Sequence, residues 1–329
     1  MNRIKADIKN NTFKNVYLFY GPETYLVDYY SKQIIAANTD EDTKELNLLS
    51  VSAQIPEEGE TDGFINSYPF MSEKKVLYIR NSGLFKKATD SQKKFWSDVL
   101  TNIPEYAIII FAETEVDKRN SVYKLIDKNY TACEFNYQKP AELASWTAKV
   151  LKSMSKNVSQ NDAAYIVELC GPSMQSIRSE ADKLASYITE RDEINRNDIE
   201  QIVTKNIENR VFDMVDDIAE GKNEKALEKL RDLKALNEEP IKIISIIFNK
   251  YSVYKKLTIL KNRPISEICK LCGLYEKYAR NYIRQLNAIS SEKIDRVMNK
   301  CMEMDCNVKS GKTDKWLAVE LIMAEAMKV

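Results

Sequence analysis

The sequence predicts two structural classes in series: an α/β domain on a parallel sheet, then helices alone to the end. Three observations carry this. Short apolar runs at 16–20, 45–51, 76–79, 107–111 and 131–135 alternate with helical patterns through roughly the first 140 residues, the rhythm of strands joined by helical crossovers. Past Gln138-Lys-Pro140 the strand-like runs stop, and apolar residues recur at three- and four-residue spacing, which is the helical period. The chain has 329 residues, 44% hydrophobic and 30% charged, a soluble globular composition with room for two or three cores.

Taken in order, Val16-Tyr-Leu-Phe-Tyr20 reads as a buried strand, and 25–37, 92–100 and 121–128 as helices between the later strands. Leu143, Trp146 and Val150 begin the first helical face beyond the sheet. Ser159 with Asp162 resembles a capping box, and Gly171 closes that helix. Met174, Ile177, Ala181, Leu184 and Ile188 form an amphipathic stripe, and a short helix starts near Asn197-Asp198. Further stripes are Val211, Val215 and Ile218, then Ala226, Leu227, Leu230 and Leu233, then 243–251. These patterns divide the chain into 1–140, 141–208 and 209–329.

Composition excludes much chemistry. There is no histidine, so histidine-assisted nucleophiles, histidine general bases and histidine metal ligands are unavailable. The eight glycines are isolated from one another, so no glycine-rich phosphate loop can form. Cys269 and Cys272, with Cys301 and Cys306 downstream, could be imagined around zinc. Yet 265–274 has helical character and Cys301 belongs to the apolar stripe Ile294, Val297, Cys301, Met304, so small buried side chains are the better reading. No metal or cofactor is expected. With 49 basic and 49 acidic residues, net charge does not decide for or against nucleic acid. Residues 1–11 lack the apolar core of a signal peptide and no run has membrane-spanning length, so a cytoplasmic protein without membrane contact is expected.

One element is shaped like a nucleotide site without its chemistry. A phosphate loop needs a strand, a glycine turn ending in Gly-Lys-Ser/Thr, and a helix whose first N–H groups face the phosphates. Here the strand 16–20 is followed by Gly21-Pro22-Glu23, and Thr24 and Tyr25 open the helix, but no lysine or magnesium-binding hydroxyl follows. The run Ile108-Ile-Ile-Phe111 ends in Ala112-Glu113, where a hydrolytic strand would end in Asp-Glu. The literal Gly311-Lys312-Thr313 is preceded by a helical pattern and reads as an inter-helix turn.

With these residues in view, the chain resembles the delta subunit family of the bacterial DNA polymerase III clamp loader. The resemblance rests on Tyr17-Leu-Phe-Tyr-Gly-Pro-Glu-Thr-Tyr-Leu26, on Gly171-Pro172 with Glu180, Lys183 and Leu184, and on Val211-Phe-Asp-Met-Val-Asp-Asp-Ile-Ala219. It continues through Ala226-Leu227, Glu238-Glu-Pro240, Asp305, Lys309-Ser-Gly311 and Leu317-Ala-Val-Glu320. It implies an AAA+-like parallel sheet domain (1–140), a small helical lid (141–208) and a C-terminal helical collar (209–329) that joins other loader subunits. It implies binding and opening of the sliding clamp without ATP hydrolysis by this subunit, any polymerase activity belonging to the holoenzyme. No catalytic residue is expected.

The same resemblance places the clamp contact at an apolar tip between a helix and a strand, here Tyr68, Pro69, Phe70 and Met71. Read without it, Phe70 could simply cover the edge of its own sheet. Primer-template DNA is an expected partner of the assembled complex, through phosphates, and basic clusters stand at Lys74-Lys75, Lys86-Lys87, Lys93-Lys94 and 250–263. Tyr251 and Tyr254 lie among the last but read as core. Two rival readings are an ATP-hydrolysing AAA+ replication protein and a DNA-binding regulator using 265–282 as a helix-turn-helix.

Overall fold

The computed structural model describes residues 2–272, 276–287 and 289–328. They fall into two compact units that divide between Val203 and Thr204.

The first unit is built on five parallel strands: β1 (Val16–Tyr20), β2 (Leu48–Ser52), β3 (Lys75–Arg80), β4 (Ala107–Glu113) and β5 (Thr131–Glu134), in the spatial order β2-β3-β4-β1-β5. β1 and β4 are buried along their whole length, as parallel strands covered on both faces must be. Alternation sorts their side chains. Val16, Leu18, Ile109 and Phe111 join Trp96, Leu100, Val122 and Ile126 on one face. Tyr17, Phe19, Ile108 and Ile110 join Leu26, Val27, Tyr30 and Ile34 of the helix Thr24–Asn38 on the other.

That second face also carries the helices Pro140–Ser153, Gln160–Cys170, Met174–Tyr187 and Arg196–Ile202, whose Leu143, Ile166, Ile177 and Leu184 belong to the same core. Each start has a local cause. Pro140 stands at the first helical position, where a missing N–H costs nothing. The side chains of Ser159, Ser173 and Asn195 cap the other three. Two short strands, β6 (Asn157–Val158) and β7 (Glu193–Ile194), pair beside them.

Residues 44–47 form a helical turn rather than the start of the strand expected at 45–51; β2 begins at Leu48. Lys44 and Glu45 are good helix formers, and the buried Asn47 is needed elsewhere for its side-chain amide, as shown below.

Among its described residues the second unit contains helices and no strand: Ile207–Ala219, Asn223–Ala235, Pro240–Leu260, Ile265–Cys272, Glu276–Leu286, Ser291–Lys309 and Lys315–Met327. Val211, Val215, Ile218, Ile243, Val297 and Ile322 are among its core residues. Leu227 does not share its expected stripe: it is exposed while Ala226, Leu230 and Leu233 are buried. Cys269 and Cys272 lie on a helix, and Cys301 is buried with Ile294, Val297 and Met304; Leu274 of the expected helical segment lies outside the described residues. No described helix is long and apolar enough to cross a membrane.

Candidate functional site

The strand–turn–helix at 16–38 has the backbone of a phosphate site at the carboxyl edge of the sheet, where open α/β sheets bind ligands. Gly21 has φ +128°, and its N–H donates to the Glu113 carbonyl at 3.1 Å. A Cβ there would stand 2.3 Å from the Phe135 carbonyl oxygen, so only glycine fits. The Glu23 N–H donates to that same Phe135 carbonyl at 3.1 Å. The turn is thus stitched to β4 and to the end of β5.

Two carboxylates of this edge, Glu23 and Glu113, face inward, while Glu134 at the end of β5 is exposed and pairs with Lys118. Glu23 is 1% exposed. Its Oε1 accepts the Tyr25 N–H at 3.2 Å, and its Oε2 accepts the Met174 N–H at 3.1 Å. Glu113 is also buried, and its Oε1 accepts the Ser82 N–H at 2.9 Å and the Ser82 hydroxyl. Burial raises both carboxyl pKa values, against the lowering pull of these donors. Tyr25 stacks edge-on against Trp146 of the helix 140–153, with ring centroids 5.4 Å apart. In the turn, Gly21 and Glu23 are buried and bonded to the chain's own groups, while Pro22 and Thr24 are exposed.

The tip occupies the opposite, amino edge of the sheet, between the helix Glu58–Asn66 and β3. Tyr68 is 83% exposed, Phe70 53% and Met71 81%, and Pro69 is half-buried. About half of the Phe70 surface therefore remains open to solvent. Its backbone is held: the Phe70 N–H donates to Asn47 Oδ1, and Asn47 Nδ2 donates to the Phe70 carbonyl, both at 2.8 Å. Asn47 is fully buried. On the other side, Lys75 Nζ donates to the Ser67 carbonyl at 3.0 Å and to its hydroxyl at 2.6 Å, over the Phe64 ring. Lys75 is buried and its pKa is lowered by desolvation. The Tyr68 ring leans on Tyr106, whose hydroxyl donates to the Asn66 carbonyl at 3.1 Å. Met71 lies in the left-handed region at φ +47°, a conformation that costs a residue with a side chain about 1–2 kcal/mol. The backbone at the tip is thus held by Asn47 and its approach by Lys75, while Tyr68, Phe70 and Met71 stay exposed.

Asn47 and Lys75 were not legible as part of this site. Asn47 interrupts an apolar run and its partner is 23 residues away; the only hint was a polar residue between Leu46 and Leu48.

The basic clusters look different in three dimensions. Lys75 and Lys250 are buried. Lys250 bonds Asp216 and the Phe212 carbonyl, the latter at 2.8 Å, while Lys229 bonds Asp217. The acidic pair in Val211–Ala219 is thus bound up in the helical core. Lys86 pairs with Glu115, Lys93 with Asp90 at 3.0 Å and Lys255 with Asp295 at 2.7 Å. Tyr251 and Tyr254 are core residues. Gly311 sits at φ +72° in the turn between the helices 291–309 and 315–327, and no strand precedes it.

Comparison with known proteins agrees with this architecture. The model of the DNA polymerase III delta subunit matches residues 17–137, and that of the delta subunit's C-terminal domain matches 208–326. The DNA polymerase III subunit delta of Bacillus subtilis is 24% identical over 330 aligned residues, covering 98% of this chain and 95% of the relative. A probable delta subunit of Aquifex aeolicus is 24% identical over 183 residues, 54% of this chain and 52% of the relative. The solved structure of the Bacillus subtilis DNA clamp loader delta protein superposes with a TM-score of 0.59 at 22% identity, covering 100% of this chain and 99% of that one. With one family's models matching both ends of the chain and a full-length relative alongside, the chain belongs to the DNA polymerase III delta subunit family.

Proposed function

We propose that this chain is the clamp-holding, non-hydrolysing subunit of a clamp loader: it grips the sliding clamp through Tyr68, Pro69, Phe70 and Met71 and favours its open form. The observation that carries this is the anchored tip. Burying a Phe, Met or Leu side chain fully is worth about 1.5–3 kcal/mol, and Asn47 and Lys75 have already ordered the backbone that presents these side chains. Opening follows only if the tip binds the open ring better than the closed one, since equal affinity shifts nothing.

The lack of hydrolysis is supported by the missing lysine and aspartate and by the inward carboxylates at Glu23 and Glu113. ATP is then handled by neighbouring subunits, which this chain joins through 209–329, in the cytoplasm. Primer-template DNA is met in the assembled complex, through phosphates and with steep salt dependence.

The test is clamp binding by the full chain without nucleotide, compared with Pro69→Ala/Phe70→Ala. A loss of at least about tenfold, one unit of 1.4 kcal/mol, is expected, and unchanged affinity refutes the assignment. Clear ATP affinity or turnover by the wild-type chain would favour an ATP-hydrolysing replication protein instead.

A further inference from the structure

The Glu23 carboxylate is placed to do more than end a helix. It accepts from the Tyr25 N–H, in the first turn of the helix 24–38, and from the Met174 N–H, the first residue of the helix Met174–Tyr187. These two helices are 151 residues apart at the bonded positions. Each helix start carries unpaired N–H groups and a partial positive charge that favour an anion, and the first of them is where the strand–turn–helix of a nucleotide site seats its phosphates.

We infer that Glu23 is a built-in anion that takes the phosphate seat of this turn and latches the helices 140–203 to the sheet. The role rests on the reading that the turn holds no nucleotide, and it gives that reading a physical cause beyond the missing lysine. An added phosphate would have to displace a buried carboxylate that already satisfies two backbone donors. It also explains why a carboxylate is retained where burial alone opposes its charge: two charge-assisted bonds offset part of the desolvation. The link is made of hydrogen bonds, but its anion belongs to the chain and cannot diffuse away as a bound ligand can. Tyr25 against Trp146 strengthens the same junction.

The test is hydrogen exchange on the full chain, read in segments 22–27 and 172–178, with the helix Asp90–Thr101 on the other face of the sheet as an internal control. Glu23→Ala is expected to exchange about tenfold faster in both segments, the factor for one hydrogen bond of ordinary net strength, with the control unchanged. Acceleration confined to 22–27 would reduce Glu23 to a local cap and overturn the latch. Should Glu23→Ala fail to fold, Glu23→Gln decides. Its single oxygen can serve only one of the two donors well, so one segment must lose protection, and wild-type protection in both refutes the role. Clamp affinity of Glu23→Gln is expected to stay at the wild-type value, because the tip lies at the other edge of the sheet. Failure of wild-type clamp binding would therefore count against the proposed function alone.

Discussion

Asn47 and Phe70 exchange two hydrogen bonds, side-chain amide to backbone, each 2.8 Å long. The pairing imitates one rung of a strand ladder and leaves the Phe70 ring free to point outward. Asn47→Ala removes both bonds and leaves the Phe70 N–H and carbonyl to water. A cost of about 1–3 kcal/mol is expected, and clamp affinity should fall although no clamp-facing atom has been touched. Urea unfolding and clamp titration of the same protein measure the two effects. Normal clamp affinity in a destabilised variant would show that the tip needs no preorganisation.

Met71 gives the converse experiment. Its left-handed backbone is unfavourable for a side chain and easy for glycine. Met71→Gly is therefore expected to leave stability unchanged or raise it by up to about 1 kcal/mol, while weakening clamp binding by loss of an 81% exposed apolar side chain. A thermal melt beside a binding curve separates the two. Undiminished binding would remove Met71 from the contact.

Glu113 makes stability depend on pH in the less usual direction. Burial raises its pKa above the ordinary 4.5, opposed by the Ser82 donors, the Gly83 N–H and Lys86. The folded chain then holds this proton more tightly than the unfolded one. Its contribution is greatest below the unfolded value and is lost as pH rises to the folded value. Glu113→Gln cannot ionise, so the stability gap between variant and parent should move in the variant's favour from pH 4 to pH 7. Denaturant titrations at both pH values check it, and an unchanged gap contradicts the shift.

Lys250 is buried against Asp216 and the Phe212 carbonyl, with burial lowering its pKa and Asp216 raising it. Lys250→Met strands the Asp216 carboxylate beside an apolar side chain. A loss of about 3–5 kcal/mol is expected, nearer the lower end because Asp216 keeps some contact with water. Adding Asp216→Asn should recover part of it. A double-mutant cycle in which the two losses simply add would show that the pair is not coupled.

The strands and amphipathic helices were readable because their signals are local. Val16–Tyr20 and Ala107–Glu113 are apolar runs too short for buried helices, and Met174, Ile177, Ala181 and Leu184 repeat on one helical face. The tip was placed by family resemblance, since nothing local separates an exposed Phe70 from a buried one. What stayed hidden were contacts between residues far apart in sequence. Asn47 reads as an interruption until Phe70 is beside it, and Glu23 as a lost motif until Met174 arrives. Lys75 and Lys250 read as surface charge because sequence does not show which lysine folds back to a carbonyl or carboxylate.

The sheet's two edges bear a mechanical reading. Asn47, the tip and Tyr106 all stand just before strands, whereas Gly21, Ser82 and Glu113 stand at or just beyond strand ends. A six-residue strand such as β3 spans about 20 Å at roughly 3.3 Å per residue, and five hydrogen-bonded parallel strands hardly stretch along that axis. The domain is then a strut. A displacement imposed at the edge that carries Gly21 and Glu113 is therefore expected to arrive at the edge that carries Asn47 and Tyr106 instead of being spent in bending.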